Sequence, residues 1–522
     1  MKKSSFVWGA TILALSGVLC KILGALYKVP LANMLKTEGM GIYYLVFPIY
    51  SLFLTLSSSC FPSVVSRMVS SAVAENKNKL AYKTFVASLI VLLILGLFFG
   101  LILTLFANKI ASFQGVKNGA ICYVVLSPAI LFVAIISAFR GYFQGLQDMT
   151  PTAISQIVEQ IVKFVVGFFL ANLLLKYGVI YGVLGALVGV VFSELLSLCY
   201  LAICFFKFRK KTKTGSKYEE NVGSVFCIMK HIIKASIPFF LNGVLFPLFS
   251  VVDGVLIVAL LQRSGYEFSL ASSILGINTG VVNTIINLPV VVSVSIAMAI
   301  VPSISFSFNK GDIASIENKV SFSIKIVFLI AIPCIFMFVF YAKEIISLLF
   351  GGSMNSVAEF NVAINLLIVL SITVLYQSLL QIFVAVLQAI KKAYTPVVVV
   401  FLSLVFRVVV QVLLFRIESI NIMSIGISSF VGFFFACLFC FLVLKKSIKI
   451  SLDFKSCLIL PVLFSVLIVF LVKAGLIFFY MFLPAKVSIL ASFLMGGFVY
   501  LIMLYCFKVV SKKELIFIKN TE

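Results

Sequence analysis

Long apolar blocks alternate with short polar breaks along nearly the whole chain. Each block holds about 20 residues or more, which is enough, at about 1.5 Å of rise per helical residue, to cross a hydrocarbon core of about 30 Å. Backbone hydrogen bonds must close within each segment in lipid, so the pattern predicts an all-α bundle of membrane-spanning helices. We expect about 14 spans, near residues 6–29, 41–66, 82–107, 120–146, 152–175, 179–206, 235–261, 276–306, 322–350, 361–390, 394–416, 419–444, 456–483 and 485–508.

The composition excludes most classes of enzyme. Of the 522 residues, 62% are hydrophobic and 11% are charged, and the mean hydropathy of +1.22 lies far from that of soluble domains. The apolar blocks leave no room for a folded soluble domain, no P-loop signature is present, and the only histidine, His231, lies in a polar linker. We therefore expect no catalysis, no cofactor and no metal. The 11 Cys, scattered singly, indicate small buried side chains rather than disulfides.

The formal net charge of +24 comes mainly from Lys and Arg in the polar breaks. Most of them fall on the membrane side that the N-terminus shares, and cytoplasmic loops carry the excess of Lys and Arg. An even number of spans then predicts that both termini are cytoplasmic, with an uncleaved first span. Interpreted as a topology signal, the charge predicts no nucleic-acid partner. The strongest anchors are Lys207, Arg209, Lys210, Lys211, Lys213, Lys217, Lys391, Lys392, Lys445, Lys446, Lys512 and Lys513.

Two landmarks of the first half recur in the second half. Phe61-Pro62-Ser63 closes the second predicted span, and Val301-Pro302-Ser303 closes the eighth, about 240 residues later. The Thr150-Pro151 turn before the fifth span is echoed at nearly the same offset by Thr395-Pro396 before the eleventh. A duplicated six-span unit with parallel halves follows, which is typical of alternating access. The expected domains are an N-terminal six-helix lobe at 1–206, a basic cytoplasmic linker at 207–234, a C-terminal six-helix lobe at 235–444, and two extra helices with a cytoplasmic tail at 445–522.

Two cations lie near the predicted bilayer midplane, in equivalent spans of the two halves. Lys163 lies about 18 Å along the fifth span and Arg407 about 16 Å along the eleventh, measured from the cytoplasmic Thr-Pro turns. An ionisable group inside a span costs about 2.5 to 3.5 kcal/mol, which makes each a functional candidate. We expect the two to face each other across the lobe interface and to bind an anionic ligand. The alternative for Lys163 is a local ion pair with Glu159, one turn earlier.

The other ionisable residues in spans, and Glu159 itself, are candidates for gating or coupling. Lys21 and Asp253 lie in equivalent helices, about two thirds of the way to the outer surface, and form a candidate gate pair. Glu194 is a candidate proton or cation site, or a hydrogen-bonded structural carboxylate. Lys28 is a further gating candidate, with an interfacial side chain as the alternative.

Several motifs carry a resemblance to a known family. They are Lys21-Ile-Leu-Gly24, Phe61-Pro-Ser-Val-Val-Ser-Arg67, Arg140-Gly-Tyr-Phe-Gln-Gly-Leu-Gln-Asp-Met-Thr-Pro151, Asn287-Leu-Pro289 and Ala299-Ile-Val-Pro-Ser-Ile-Ser305. The chain resembles the stage V sporulation protein B and polysaccharide-transporter family, which is similar to the MurJ lipid II flippases. That family belongs with the multidrug/oligosaccharidyl-lipid/polysaccharide exporters, whose members have two six-span lobes and, in the MurJ type, two extra helices.

The resemblance implies a flippase in a bacterial plasma membrane that acts by alternating access. Its expected substrate is an undecaprenyl-pyrophosphate-linked sugar, first of all the peptidoglycan precursor lipid II, moved from the inner to the outer leaflet. Lys21, Lys163 and Arg407 are expected to hold the pyrophosphate and sugar, while the last two helices hold the lipid tail. Membrane lipids, and cell-wall synthases in sporulation or growth, are the further expected partners. The alternatives are a flippase for another lipid-linked polysaccharide unit, a cation-coupled multidrug or metabolite exporter of the same fold, and a scaffold for cell-wall synthases.

Overall fold

The computed structural model describes residues 3–58, 61–116, 118–212, 224–392, 394–418, 420–448, 450, 453–507 and 509. These residues form helices and no strands. The helices are α1 Lys3–Ser57, α2 Phe61–Ala74, α3 Asn78–Phe113, α4 Ala120–Gly145, α5 Thr150–Leu175, α6 Val179–Thr212, α7 Val225–Arg263, α8 Phe268–Leu275, α9 Asn283–Lys310, α10 Ile313–Phe340, α11 Ala342–Phe350, α12 Val357–Ser371, α13 Thr373–Ala389, α14 Tyr394–Phe415, α15 Ser424–Lys445, α16 Leu460–Tyr480 and α17 Ala485–Cys506.

The polytopic all-helical fold class is confirmed. Within the described ranges, 11 helical stretches are long and apolar enough to cross a membrane, and 12 if the bent pair α12 and α13 forms one span. Each of the 14 predicted spans overlaps a described helix. The first two share α1, and this is one reason why there are fewer such stretches than predicted spans.

The helix α1 is a hairpin of two helical halves. Lys36 breaks it with φ 60° and ψ 179°. Lys28 Nζ lies 5.6 Å from the centroid of the Tyr44 ring, whereas a straight helix would separate these two residues by about 24 Å. The two halves therefore run side by side, as predicted spans one and two. The predicted end of the second span at 66 was wrong, because the helix ends at Ser57 and α2 begins at Phe61.

The predicted span 322–350 also needs correction. The long helix α10 ends at Phe340, and the separate short helix α11 follows at Ala342–Phe350. In α11, Ile345, Ile346 and Phe350 are buried whereas Lys343 and Ser347 are exposed. This one-sided pattern suits a helix that packs one face on the protein rather than one that continues a span.

The chain folds into two units, Met1–Gly276 and Ile277–Glu522. The helices α4 and α13, which precede the two Thr-Pro turns, end with the same backbone geometry. Gln147 and Lys391 both adopt positive φ, at 63° and 64°. The next amide in each turn donates to the carbonyl five residues earlier, at 3.0 Å from Asp148 and 2.8 Å from Lys392. This is the six-to-one bond of a Schellman helix ending, repeated at corresponding places in the two halves of the chain.

The contact between α5 and α6 is close at a pair of glycines. A Cβ added to Gly189 would lie 2.2 Å from Gly167 Cα, so the two backbones touch. We expect Gly189→Ala to lower the free energy of unfolding by about 3 kcal/mol or to prevent folding, because this contact cannot accept a methyl group. Gly497→Ala in α17, where a Cβ meets nothing within 4 Å, is the matched control and is expected to keep wild-type stability. Thermal unfolding of both variants in detergent measures the difference; equal melting temperatures would contradict this packing.

Candidate functional site

An ion pair in the first unit ties three helices together. The guanidinium of Arg140 in α4 donates to Glu159 Oε2 in α5 at 3.0 Å. It also donates to Ser155 Oγ at 3.1 Å and to Ser197 Oγ in α6 at 3.4 Å. The alternative in which Glu159 pairs with Lys163 was wrong. The geometry of α4 brings Arg140 to this carboxylate, which the spacing within α5 does not reveal.

The ion pair predicts a strong coupling between its two members. Arg140→Gln or Glu159→Gln alone leaves a charge of opposite sign in a largely buried place, and we expect each to cost about 2 to 3 kcal/mol of unfolding free energy. The double variant removes both charges and is expected to be more stable than the sum of the single losses predicts. Thermal unfolding of the four proteins measures this coupling; strictly additive losses would contradict the ion pair.

Lys163 lies in the same helix without a salt-bridge partner. Among the residues that the structure describes, its ammonium makes no ion pair and no hydrogen bond. Lys163 Nζ instead faces two aromatic rings of α1, 5.4 Å from the Phe47 centroid and 5.9 Å from the Tyr27 centroid. The ring faces stabilise a cation weakly and leave its hydrogen-bond donors available. An ammonium group in this arrangement can bind an anionic ligand.

Phe47, which faces this lysine, belongs to a row of aromatic side chains on the second half of α1. The ring of Tyr43 lies 5.4 Å from Tyr44 and 5.3 Å from Phe47, and Phe47 lies 5.6 Å from Tyr50, all between centroids. Sequence reasoning missed these residues, because tyrosine and phenylalanine inside apolar spans look like ordinary lipid-facing or core residues. The break at Lys36 brings Tyr27 of the first half of α1 to the same lysine as Phe47 of the second half.

Glu194 of α6 is buried, with 7% of its surface exposed. It lies within electrostatic reach of Glu159, Arg140 and Lys163. It makes no hydrogen bond and no ion pair within the described part of the chain. The alternative of a hydrogen-bonded structural carboxylate therefore receives no support, and the coupling prediction for Glu194 stays open.

The candidate gate pair is not formed in this structure. Lys21, partly buried in α1, makes no ion pair with any residue that the structure describes. Asp253 lies in α7, next to Gly254, where an added Cβ would be 3.6 Å from the Tyr44 carbonyl oxygen. Lys28 is partly buried over the Tyr44 ring, rather than extended as an interfacial side chain. The site roles of these residues stay predictions.

Arg407 belongs to the second unit and packs along α15. Its exposed fraction is 9%, and a Cβ added to Gly432 would lie 3.0 Å from Arg407 Cβ. Gln411, one turn later, is fully buried. A polar strip therefore runs along the α14 face that meets α15.

The second unit also contains an apolar cavity of about 690 Å³. Its lining comes from α9, α10, α11, α16 and α17, and includes Pro333, Ile345, Val472, Gly497 and Leu501. Two phenols fix its walls: Tyr341 donates to the Val469 carbonyl at 2.5 Å, and Tyr500 donates to the Leu329 carbonyl at 2.8 Å. The cavity can hold a hydrocarbon chain, because its walls are almost wholly apolar. Within the described residues, no group of three His, Cys, Asp or Glu side chains is placed to hold a metal ion.

The family is decided by a match over more than half of the chain. A family model described as "Polysaccharide biosynthesis protein" matches residues 6–308. The chain belongs to this family. A second model, MatE, matches residues 278–413. The resemblance drawn from the sequence motifs is thus confirmed, and the chain is a multi-pass membrane transporter of the multidrug/oligosaccharidyl-lipid/polysaccharide exporter superfamily.

Curated relatives and a solved structure agree with this placement. The chain is 26% identical over 355 residues to stage V sporulation protein B of Bacillus subtilis (strain 168), covering 68% of each chain. It is 25% identical over 458 residues to lipid II flippase MurJ of the same organism, covering 85% of this chain and 83% of the relative. A solved structure of lipid II flippase MurJ in an inward closed conformation matches with a TM-score of 0.66 at 17% identity, covering 97% of this chain and 100% of that one. This last likeness shows the shared fold.

The structure explains residues of the most specific family-like motif, which spans 140–151. Arg140 makes the ion pair described above, and Gly141 and Gly145 let α4 pack tightly on α2. A Cβ on Gly141 would lie 2.9 Å from Val65 Cβ, and one on Gly145 would lie 2.5 Å from Val69 Cβ. The motif therefore joins α2, α4 and α5 at the ion pair that precedes Lys163.

Proposed function

We propose that this family member moves a polyprenyl-diphosphate-linked sugar from the inner to the outer leaflet of a bacterial plasma membrane. The preferred candidate for this substrate is the peptidoglycan precursor lipid II. The observation that carries the proposal is Lys163, a partly buried ammonium in a span with no ion pair among the described residues. An unpaired cation inside a membrane helix is costly unless it serves a ligand or a pathway. The diphosphate is the anionic part of such a lipid. Lys21 and Arg407 are proposed as further contacts of the headgroup.

The apolar cavity of the second unit is proposed as the place of the polyprenyl tail. The last two helices, α16 and α17, supply part of its wall, which supports this placement of the tail. Burial of apolar surface contributes about 25 cal/mol per Å², so a long polyprenyl chain gains affinity there without directional contacts.

The membrane potential supplies the driving force in this proposal. A diphosphate diester carries about two negative charges, and each charge crossing the membrane is worth about 2.3 kcal/mol per 100 mV. An inside-negative potential therefore favours movement of the headgroup outward. Both termini are proposed to be cytoplasmic, as the distribution of Lys and Arg indicates.

A second candidate function is cation-coupled export of drugs or metabolites. Two observations favour it: the MatE model matches residues 278–413, and Glu194 is a buried carboxylate without a hydrogen bond among the described residues. Binding of a cationic amphiphile would require acidic side chains that are free to face it. Glu159 is already paired with Arg140. Lys163 lies within electrostatic reach of Glu159, of the second ammonium of Lys28 and of Glu194, but forms an ion pair with none of them among the described residues. An anionic substrate is therefore the better fit.

Depletion of the protein in its own cells tests the proposed function. We expect lipid-linked peptidoglycan precursor to accumulate in the inner leaflet, and re-expression of the wild type to restore the outer-leaflet pool. Other polyprenyl-linked glycans are followed in the same extracts, so that a different sugar is recognised by its own accumulation. An unchanged leaflet distribution of every polyprenyl-linked glycan would contradict the proposal and favour the exporter.

A further inference from the structure

Two lysines and two tyrosines lie together where the broken helix α1 meets α5. Lys28 Nζ lies over the Tyr44 ring at 5.6 Å, and Lys163 Nζ lies over the Tyr27 ring at 5.9 Å. The two phenol groups are within electrostatic reach of each other, and so are the two ammonium groups. A Cβ added to Gly167 would lie 2.8 Å from the Tyr27 hydroxyl, so this phenol points at the same α5 face that carries Lys163 one turn earlier. These four side chains are called the donor cluster below.

The polar groups of the donor cluster lack protein partners. The hydroxyl oxygens of Tyr27 and Tyr44 are buried without a hydrogen bond to any residue that the structure describes, in side chains that are 4% and 8% exposed. Lys28 and Lys163 make no hydrogen bond or ion pair with any described residue. A buried phenol normally finds a partner, and leaving a polar group unsatisfied costs about 1 to 3 kcal/mol. Two such phenols side by side therefore indicate a ligand.

The chemistry of the missing partner follows from what the cluster offers. Two ammonium groups and two phenols present N–H and O–H donors. Glu159, Lys28 and Glu194 all lie within electrostatic reach of Lys163, but Glu159 is paired with Arg140, and neither carboxylate forms an ion pair with Lys163 among the described residues. Water would satisfy the phenols but would leave the repulsion between the ammonium groups, and a neutral sugar hydroxyl would do the same. An anion with several acceptor oxygens satisfies both needs. A diphosphate offers two adjacent phosphoryl groups for two ammonium groups.

We propose that Lys28, Lys163, Tyr27 and Tyr44 form the binding site for the diphosphate of the carried lipid, with the two phenols as donors that set its specificity. This inference rests on the proposed function and adds its ligand contacts. The two lysines are partly exposed and cover the rings. Binding requires their flexible stems to move aside, so that an anion can reach the phenols behind them.

The test uses the purified full-length chain in detergent, with inorganic pyrophosphate as the probe and binding measured by calorimetry. Hydrogen bonds to a charged group contribute about 1.5 to 3 kcal/mol, so Tyr27→Phe and Tyr44→Phe are each expected to weaken pyrophosphate binding about tenfold or more. Each substitution keeps the ring that faces the lysine and removes only the hydroxyl. The melting temperature is expected to stay the same or rise, because the lost hydroxyl had no partner. A purely structural tyrosine would show the opposite pattern.

Tyr50→Phe is the matched control. Its hydroxyl is also buried without a hydrogen-bond partner in the described part of the chain, but it lies within electrostatic reach of Glu194 and Glu159, where an anion is repelled. We expect wild-type pyrophosphate binding in this variant.

Three results would overturn the inference. They are wild-type pyrophosphate binding in the Tyr27→Phe/Tyr44→Phe double variant, an equal loss in Tyr50→Phe, and equally tight binding of orthophosphate or sulfate. The proposed function is judged separately, by the leaflet distribution of the precursor. Normal transport by the double tyrosine variant, together with loss of transport in Lys163→Gln, would reject the phenols as ligands and leave the flippase in place.

Discussion

Lys163→Gln is expected to reduce transport of the lipid-linked precursor about 100-fold or more. The substitution keeps most of the side-chain volume and removes the unpaired charge, and a charge-assisted contact to a phosphate oxygen contributes about 3 kcal/mol. Abundance in the membrane is expected to stay near that of the wild type, because Lys163 makes no ion pair or hydrogen bond with a described residue that the variant would break. The fraction of precursor in the outer leaflet of depleted cells carrying the variant measures the effect.

Lys163→Arg is the matched control for that variant. It keeps the positive charge and the contact with the Phe47 and Tyr27 rings, since guanidinium groups also stack on aromatic faces. We expect transport within about tenfold of the wild type, with the loss coming from the different shape of the head group. Wild-type transport by Lys163→Gln, or equal loss in both variants, would show that the charge of Lys163 is not what the transporter uses.

The second large effect is expected in the apolar cavity of the second unit. Gly497 lines this cavity, and a Cβ added there meets no atom within 4 Å. Gly497→Phe therefore adds a ring at an open position of the cavity wall and takes up part of the cavity, and we expect it to slow transport of a full-length polyprenyl substrate about tenfold. This magnitude corresponds to losing the burial of two CH₂-sized groups, at about 0.8 kcal/mol each.

Gly497→Ala and a short-chain substrate are the controls for the cavity. The alanine occupies little of the space, so transport should stay close to that of the wild type. A substrate with a tail too short to enter the cavity should be moved equally by the wild type and by Gly497→Phe. Equal transport of the long-tailed lipid by the wild type and by Gly497→Phe would show that the tail does not occupy this cavity.

The fold could be anticipated from hydropathy because lipid imposes a simple rule. Every span must be apolar and must satisfy its own backbone hydrogen bonds, so the 14 blocks could be identified directly from the sequence. The ends of the helices could not be identified in this way. The break at 341, between α10 and α11, is followed by Lys343 and Glu344, but apolar residues on both sides of this pair led to one predicted span over 322–350. The one-sided burial of α11 distinguishes it from a continued span.

The candidate site was only partly predictable. Lys163 could be found because a lysine in a span is rare and costly. The sequence could not show that Lys163 forms no ion pair with a described residue, because Glu159 one turn away suggests a local pair. Only the packing of α4 shows that Glu159 pairs with Arg140 instead. The signal for Arg140 was its place beside two glycines in the motif at 140–151.

The aromatic residues near Lys163 could not be identified from the hydropathy pattern of the sequence. Tyr27 and Phe47 lie 20 residues apart on opposite sides of Lys36, and both reach the lysine only because the chain reverses there. A lysine gives no sequence signal for a positive φ, which non-glycine residues adopt rarely. The donor cluster is thus a property of the folded hairpin rather than of any local motif.

Reconstitution into lipid vesicles tests the role of Lys163 in transport most directly. The purified chain is placed in vesicles that contain lipid II, and an enzyme added outside measures how fast the headgroup from the inner leaflet becomes accessible, with an applied inside-negative potential. We expect the wild type to speed this movement well above that of protein-free vesicles, and Lys163→Gln to fall back to the protein-free rate. A wild-type rate no higher than that of empty vesicles, or a Lys163→Gln rate equal to that of the wild type, would contradict a lipid II flippase with a cationic headgroup site.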